Sequence, residues 1–329
     1  MKMATLIDDF LEHLSVEKNR SPRTIVAYRH YLERLAGWFG SEKDIAELSG
    51  EKVRKYRLFL HNFQDEYGEN LILKTQAYHI IALRSLLRYA SKRDIQCLSP
   101  DKIELPKPEN AQIQYMENGE LEVLLSSPDI NTMAGLRDRA IMELLFSTGL
   151  RVSELAALDR RMLSTKTGEL RVIGKGRKER LVFISPRARE WMQNYFERRE
   201  DENTAAFVGY RGKGTGDHPS AKVQLQATRL TTRSVDRIIQ KHALESGIVK
   251  NITPHTLRHS FATDLLLNGA DIRSVQTLLG HASITTTQIY THITNQQLRH
   301  VHENFHGLQL PEESDEPDLV EEIGIKPAD

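Results

Sequence analysis

Between Thr253 and Tyr290 the chain reads TPHTLRHSFATDLLLNGADIRSVQTLLGHASITTTQIY, a run that gathers His255, Arg258, His281 and Tyr290. Residues of these types are what is needed to hold a phosphate and attack it. Breaking a phosphodiester requires that excess charge on the non-bridging oxygens be neutralised, best by bidentate guanidinium groups. It also requires a nucleophile, and an acid to protonate the departing sugar oxygen. Arg258 and the earlier Arg151 can form the clamp, Tyr290 can be the nucleophile and Lys175 the acid. His255 and His281 can shuttle protons or hydrogen-bond the phosphate.

The elements that must carry these residues are punctuated in the sequence. Pro254 suits a first helical turn, Gly269 a stop and Asp271 a new start. Gly280 is a second stop, followed at once by His281, and Ser283 can cap the helix bearing Tyr290. His255 and Arg258 are three apart, so on one helix they face the same way. Farther upstream, Leu136–Ser147 reads as an apolar, buried helix broken by Thr148-Gly149-Leu150. Arg151 then heads the helix RVSELAAL and shares a face with Glu154. Glu169–Ile173 and Arg180–Ile184 are short β-prone runs joined by Gly174-Lys175-Gly176-Arg177-Lys178-Glu179. Glycines on either side of Lys175 suit a tight turn that lifts one lysine into the open, although Lys178 stands close by. A helix over Arg187–Arg199 and a brief strand near Ala206–Gly209 follow. The stretch GYRGKGTGDHPSAKVQLQATR then reads as a flexible surface loop. Thr231 or Thr232 opens a helix to about Ser246. After Tyr290, Thr294 can cap a helix through about Phe305, and the tail from Leu310 has the composition of disorder.

Residues 1–95 read as helix after helix. Leu6, Ile7, Phe10, Leu11 and Leu14 repeat at helical spacing. Ser21 and Pro22 open a second helix that ends at Gly40. A third follows Ser49, with Val53, Tyr56 and Phe59 or Leu60 inward, and a fourth runs from about Leu73 to Arg93. On the fourth, Arg84, Arg88 and Lys92 form one basic stripe, and the third adds Lys52, Arg54, Lys55 and Arg57. A single stripe of this kind is ordinarily a solvated face. Two in one small domain point to a phosphate-tracking surface, with Lys52, Lys55, Arg84, Arg88 and Lys92 as candidate DNA contacts. Ser99–Tyr115 holds three prolines and reads as an extended linker.

The chain's 329 residues suggest two domains, and 39% hydrophobic with 27% charged residues is a soluble globular composition. The formal net charge is zero, but it is unevenly placed. From Gly307 onward eight acids face a lone Lys326, a tail charge of −7 that leaves residues 1–306 at +7. Cys97 is the single cysteine, so no internal disulfide can form, which fits a reducing compartment. The amino-terminal MKMATLIDDFLEHL lacks an uninterrupted apolar core and reads as neither signal peptide nor membrane span. The expected location is the cytoplasm, in association with the nucleoid.

TGLRVSEL at 148–155, VIGKGRKERLVF at 172–183, TPHTLRHSFAT at 253–263 and LLGHASITTTQIYTH at 278–292 together resemble the tyrosine recombinases of the phage integrase family. The likeness is greatest to the Xer branch and covers about residues 1–306. Four motifs in the right order are far more specific than any one of them. The resemblance implies a mainly α fold: a helical, SAM-like core-DNA-binding domain over 1–98 and a linker over 99–115. A mainly helical catalytic domain with a small antiparallel sheet follows over 116–306; the composition of 307–329, not the resemblance, adds an acidic, disordered tail. Carried over residue by residue, the resemblance implies catalytic Arg151, Lys175, His255, Arg258, His281 and nucleophilic Tyr290, with Glu154 supporting Arg151. It further implies duplex DNA as target, a 3′-phosphotyrosyl intermediate, and no metal or other cofactor. A C-shaped grip on DNA is expected, within a tetramer formed with itself or a paralogous recombinase, with an accessory activator as a further possible partner. The helix after Thr294 is the candidate for packing into a neighbouring subunit.

Three features depart from the branch: a longer Gly212–Arg229 segment, the acidic tail, and His306-Gly307 where His-Pro-Arg is usual. A phage or transposon integrase would share the chemistry; the expectation of no arm-binding domain before Met3 argues against the larger phage type. A DNA-binding scaffold without catalysis would not need the full polar set. His255 and His259 are spaced as a zinc pair, but position 256 is Thr rather than a general-base Glu, so His259 reads as structural. A lone helical Tyr is ordinarily core or a surface hydrogen bonder; Tyr290 differs through its five matched partners.

Overall fold

The computed structural model describes residues 1–106, 114–163, 167–174, 179–211 and 226–280. Residues 175–178, with Lys175 and Lys178, the 212–225 stretch, and everything from His281 onward lie outside the described residues. So do the expectations for His281, Tyr290, the helix after Thr294 and the tail.

The helices α1 (Met3–Val16), α2 (Pro22–Phe39), α3 (Gly50–Asn62) and α4 (Leu73–Ser91) build the first of two compact units, Met1–Ala111. Ser21 and Ser49 cap α2 and α3 through their hydroxyls, which accept from Thr24 N and Lys52 N, both at 3.3 Å. Leu6, Phe10, Leu32, Leu35, Leu60, Leu83 and Leu87 point into one core, each buried leucine worth about 1.5–3 kcal/mol. Buried among them on α4 is His79. Its Nδ1 lies 2.9 Å from the Thr75 carbonyl and its Nε2 3.1 Å from Arg34 Nη1, a pairing that fits the neutral Nδ1–H tautomer. Burial, with the Arg34 and His30 charges adding, lowers its pKa. Ile103, within the expected linker, also packs into this core.

The second unit, Gln112–Asp329, starts with α5 (Asn118–Ser126), whose first helical residue is Asn118 itself; Glu117 is the cap, its N–H donating to Glu120 at 3.1 Å. The helix α6 (Met133–Thr148) runs through the middle, packed against α8 (Pro186–Glu197) and α10 (Pro254–Leu267). Its buried charges come paired, as burial demands. Arg137 donates to Asp138 at 2.7 and 2.8 Å and to the Val208 carbonyl, and Arg139 faces Glu143 at 2.8 Å. Two antiparallel pairs accompany the helices. β1 (Glu169–Ile173) pairs with β2 (Glu179–Phe183), and β3 (Val208–Arg211) with β4 (Gln226–Arg229). The fold is thus mainly α with small antiparallel sheets, as expected. β4 falls inside the stretch expected to be loop: its four residues, Gln226-Ala227-Thr228-Arg229, include no large apolar side chain to betray it. α7 (Val152–Ala157), α9 (Thr232–Glu245) and α11 (Ile272–Leu279) complete the described elements. Among the described residues, no helix is long and apolar enough to cross a membrane.

Candidate active site

Gly149 ends α6 in the left-handed conformation, φ +59°, and turns the chain so that Arg151 stands as the N-cap of α7. Glu154, three residues on, accepts from the Arg151 backbone N–H at 2.9 Å and from its Nη1 at 2.9 Å. The same carboxylate accepts Arg180 Nη1 and Nη2, both at 2.8 Å, so its acceptor sites are filled by two arginines. Its side chain is only 6% exposed. Burial alone would raise its pKa, but hydrogen bonds from Arg180 and Arg151 prevail and hold it at about 2. Glu154 is therefore a carboxylate at any physiological pH.

Arg258 lies buried on α10, behind a start written by Thr253 and Pro254. Its Nη1 donates to the Gly149 carbonyl and its Nη2 to the Leu279 carbonyl at 2.6 Å. Arg151 Nη2 reaches the next carbonyl, Gly280, at 3.2 Å, and Arg180 Nε the preceding one, Leu278, at 3.1 Å. Three guanidinium groups thus take three consecutive carbonyls at the C-terminal end of α11, where unpaired carbonyls and the helix dipole concentrate negative charge. Arg151, 28% exposed, still reaches solvent.

The structure thus brings Arg151, Glu154 and Arg258 together, immediately ahead of His281 in the sequence. His255 is exposed one turn before Arg258. It lines a groove of about 460 Å³ with Thr253 and with Arg233, Asp236, Arg237 and Gln240 of α9. His259 is half-buried; burial first, then the nearby His255 and Arg258, pull its pKa down to about 4, so it is neutral at pH 7. Lys175 lies outside the described residues, between Ile173 and Glu179, which pair across β1 and β2.

In the first unit, Arg88 and Lys92 are exposed along α4, while Arg84 is drawn 3.6 Å from Asp101. Lys55 pairs with Glu51 at 3.0 Å, and Lys52 lies 3.8 Å from Glu47 and over the Phe39 ring.

Two features escaped the sequence reading. Arg180 shares a strand face with buried Val182, and a charged residue on a buried face signals a buried partner. Arg233, Arg237 and Gln240 recur at helical spacing beside His255, a signal masked by the charges scattered around them.

The conformation at Gly149 is itself testable. A Cβ there would lie 2.4 Å from Phe261 Cδ1, on a backbone that L side chains rarely adopt. Gly149→Ala is expected to cost about 1–3 kcal/mol in urea denaturation. An effect within about 0.5 kcal/mol, the range of an ordinary surface substitution, would show that Phe261 yields without consequence.

Two family models account for most of the chain. The phage integrase family matches residues 114–297, and the phage integrase N-terminal SAM-like domain matches residues 7–94. The chain belongs to the phage integrase family, the tyrosine recombinases. Tyrosine recombinase XerD of Listeria innocua is 38% identical over 315 residues, covering 92% of this chain and 99% of that protein. Tyrosine recombinase XerC of Pelotomaculum thermopropionicum is 36% identical, covering 91% and 97%. Among solved structures, the Tn1549 transposon integrase in complex with transposon right end DNA superposes with a TM-score of 0.68 at 18% identity, over 93% of this chain and 100% of that one. The XerH site-specific recombinase bound to palindromic difH substrate, a post-cleavage complex, superposes with a TM-score of 0.64 at 22% identity, over 88% and 82%. These structures share the fold. The chain is thus an Xer-like site-specific recombinase.

Proposed function

We propose that this recombinase cleaves and rejoins duplex DNA at a specific site through a 3′-phosphotyrosyl bond made by Tyr290, in the Xer role of resolving chromosome or plasmid dimers. The observation that carries the reading is the convergence of Arg151 and Arg258 on the end of α11, from which the chain runs on to His281 and Tyr290. Tyr290 Oη gives its proton to His255 or His281 and attacks the phosphorus while the 5′-oxygen departs and takes a proton from Lys175. Arg151 and Arg258 neutralise the charge gathering on the non-bridging oxygens, an effect worth about 10²–10³-fold per group. His255 and His281 hydrogen-bond the phosphate or move protons. The freed 5′-hydroxyl of another strand then attacks the ester, which has stored the bond energy, so the cycle consumes no nucleotide.

Duplex DNA is the target and a tetramer, with itself or a paralogue, the working assembly. The exposed bases on α3 and α4, and the groove beside His255, are the surfaces that would meet phosphates. Binding should accordingly weaken steeply with salt.

The test is a nicked duplex that traps the covalent adduct. Adduct should form in EDTA. Lys175→Ala should slow it by about 10²–10⁴-fold, the usual contribution of a general acid, and Lys178→Ala far less. The reverse order would hand the acid role to Lys178. Sequencing the DNA trapped through Tyr290 decides the Xer role: a chromosomal or plasmid resolution site supports it, and the ends of a mobile element overturn it.

A further inference from the structure

We propose that Arg180 is the positioning residue of this recombinase: its guanidinium holds in register α7, β2 and α11, the elements that follow Arg151, follow Lys175 and precede His281 in the chain. The inference rests on the strand-cleavage reading above. Arg180 is only 9% exposed, and each of its three nitrogens donates to the protein. It therefore does not touch DNA and acts through its neighbours.

Each of those neighbours matters to the site. Two of the nitrogens grip both oxygens of Glu154, whose remaining capacity fixes the backbone and guanidinium of Arg151. The third nitrogen holds the Leu278 carbonyl, beside the Leu279 and Gly280 carbonyls that Arg258 and Arg151 hold. Arg180 itself stands at the start of β2, five residues beyond Lys175 in the sequence. Gly280, φ +63°, leaves the room this arrangement needs: a Cβ there would fall 2.8 Å from Arg180 Cδ. One rigid fork thus spans α7, β2 and α11. An ion pair serving only stability would need the charge; this one needs the planar fork, which a lysine cannot reproduce.

That difference supplies the experiment. Full-length Arg180→Lys and Arg180→Ala are compared with wild type for single-turnover adduct formation on the nicked duplex at saturating protein. Affinity for intact duplex and thermal unfolding are measured alongside. Arg180→Lys keeps the charge beside Glu154, so its folding and its dissociation constant for DNA should stay within about threefold of wild type. Its cleavage rate should fall about 10–100-fold, the scale of a small misplacement of catalytic groups. Arg180→Ala should cleave no faster; if it fails to fold, the lysine variant alone decides. A lysine variant cleaving within twofold of wild type, while wild type cleaves normally, overturns the positioning role alone. A wild-type chain that forms no adduct overturns the cleavage chemistry and this role with it.

Discussion

Tyr290→Phe is expected to leave duplex binding at wild-type affinity and to abolish the covalent protein–DNA adduct. The substitution removes one oxygen and keeps the ring, so packing of the side chain is conserved to within a hydroxyl. Affinity derives from cationic groups meeting phosphates, and one phenol contributes little to it. Chemistry is different in kind, because a nucleophile deleted outright has no substitute in the transition state. The expected loss is at least about 10³-fold, in practice a disappearance of the shifted band on a denaturing gel. Retarded bands under native conditions, measured at two salt concentrations, report binding on the same preparations. An adduct of undiminished yield would move the nucleophile to another residue.

Glu154→Gln carries the second large effect, on stability and with a defined pH signature. The carboxylate lies between two guanidinium groups, and the Arg180 side chain is itself only 9% exposed. Glutamine keeps the shape, removes the charge and turns an N–H₂ toward N–H donors, leaving the Arg180 charge unpaired. Breaking one side of a buried pair costs about 3–5 kcal/mol. The sign of the pH effect follows from the direction of the shift. Glu154 has a folded-state pKa of about 2 against 4.5 for the unshifted group, so the unfolded chain binds its proton first. Its contribution, about 3 kcal/mol, is fully present above pH 4.5 and is lost as pH falls toward 2. Wild type and Glu154→Gln should therefore differ most near neutrality and converge in acid. Trp191, in the second unit, can follow the unfolding once Trp38, in the first, is replaced by Phe. A stability gap unchanged from pH 7 to pH 2 would mean that Glu154 is not held as a carboxylate by these arginines.

Much of the fold was legible because helices are local objects. Ser21, Ser49, Thr253 and Asp271 cap helices where they stand, and Gly149 and Gly280 end them in the left-handed conformation. Apolar repeats such as Leu6–Phe10 or Leu83–Leu87 announced which face would be buried. β4 was illegible for the complementary reason: its four residues, three of them polar and none large and apolar, pair with β3 through backbone hydrogen bonds, which leave no pattern in side-chain type.

The site divides along the same line. The sequence by itself determined which residues could do chemistry, since the types and order of Arg151, Lys175, His255, Arg258, His281 and Tyr290 are written in four recognisable motifs. It also determined the Arg151–Glu154 pair, because residues three apart on a helix share a face. Only the tertiary structure decided that Arg180, 26 residues beyond Glu154, completes that carboxylate's hydrogen bonding. The same holds for Arg151 meeting the Gly280 carbonyl 129 residues away. Periodicity constrains neighbours along the chain. Which guanidinium meets which carbonyl across a hundred residues is settled by core packing and by the need of each buried charge for a partner.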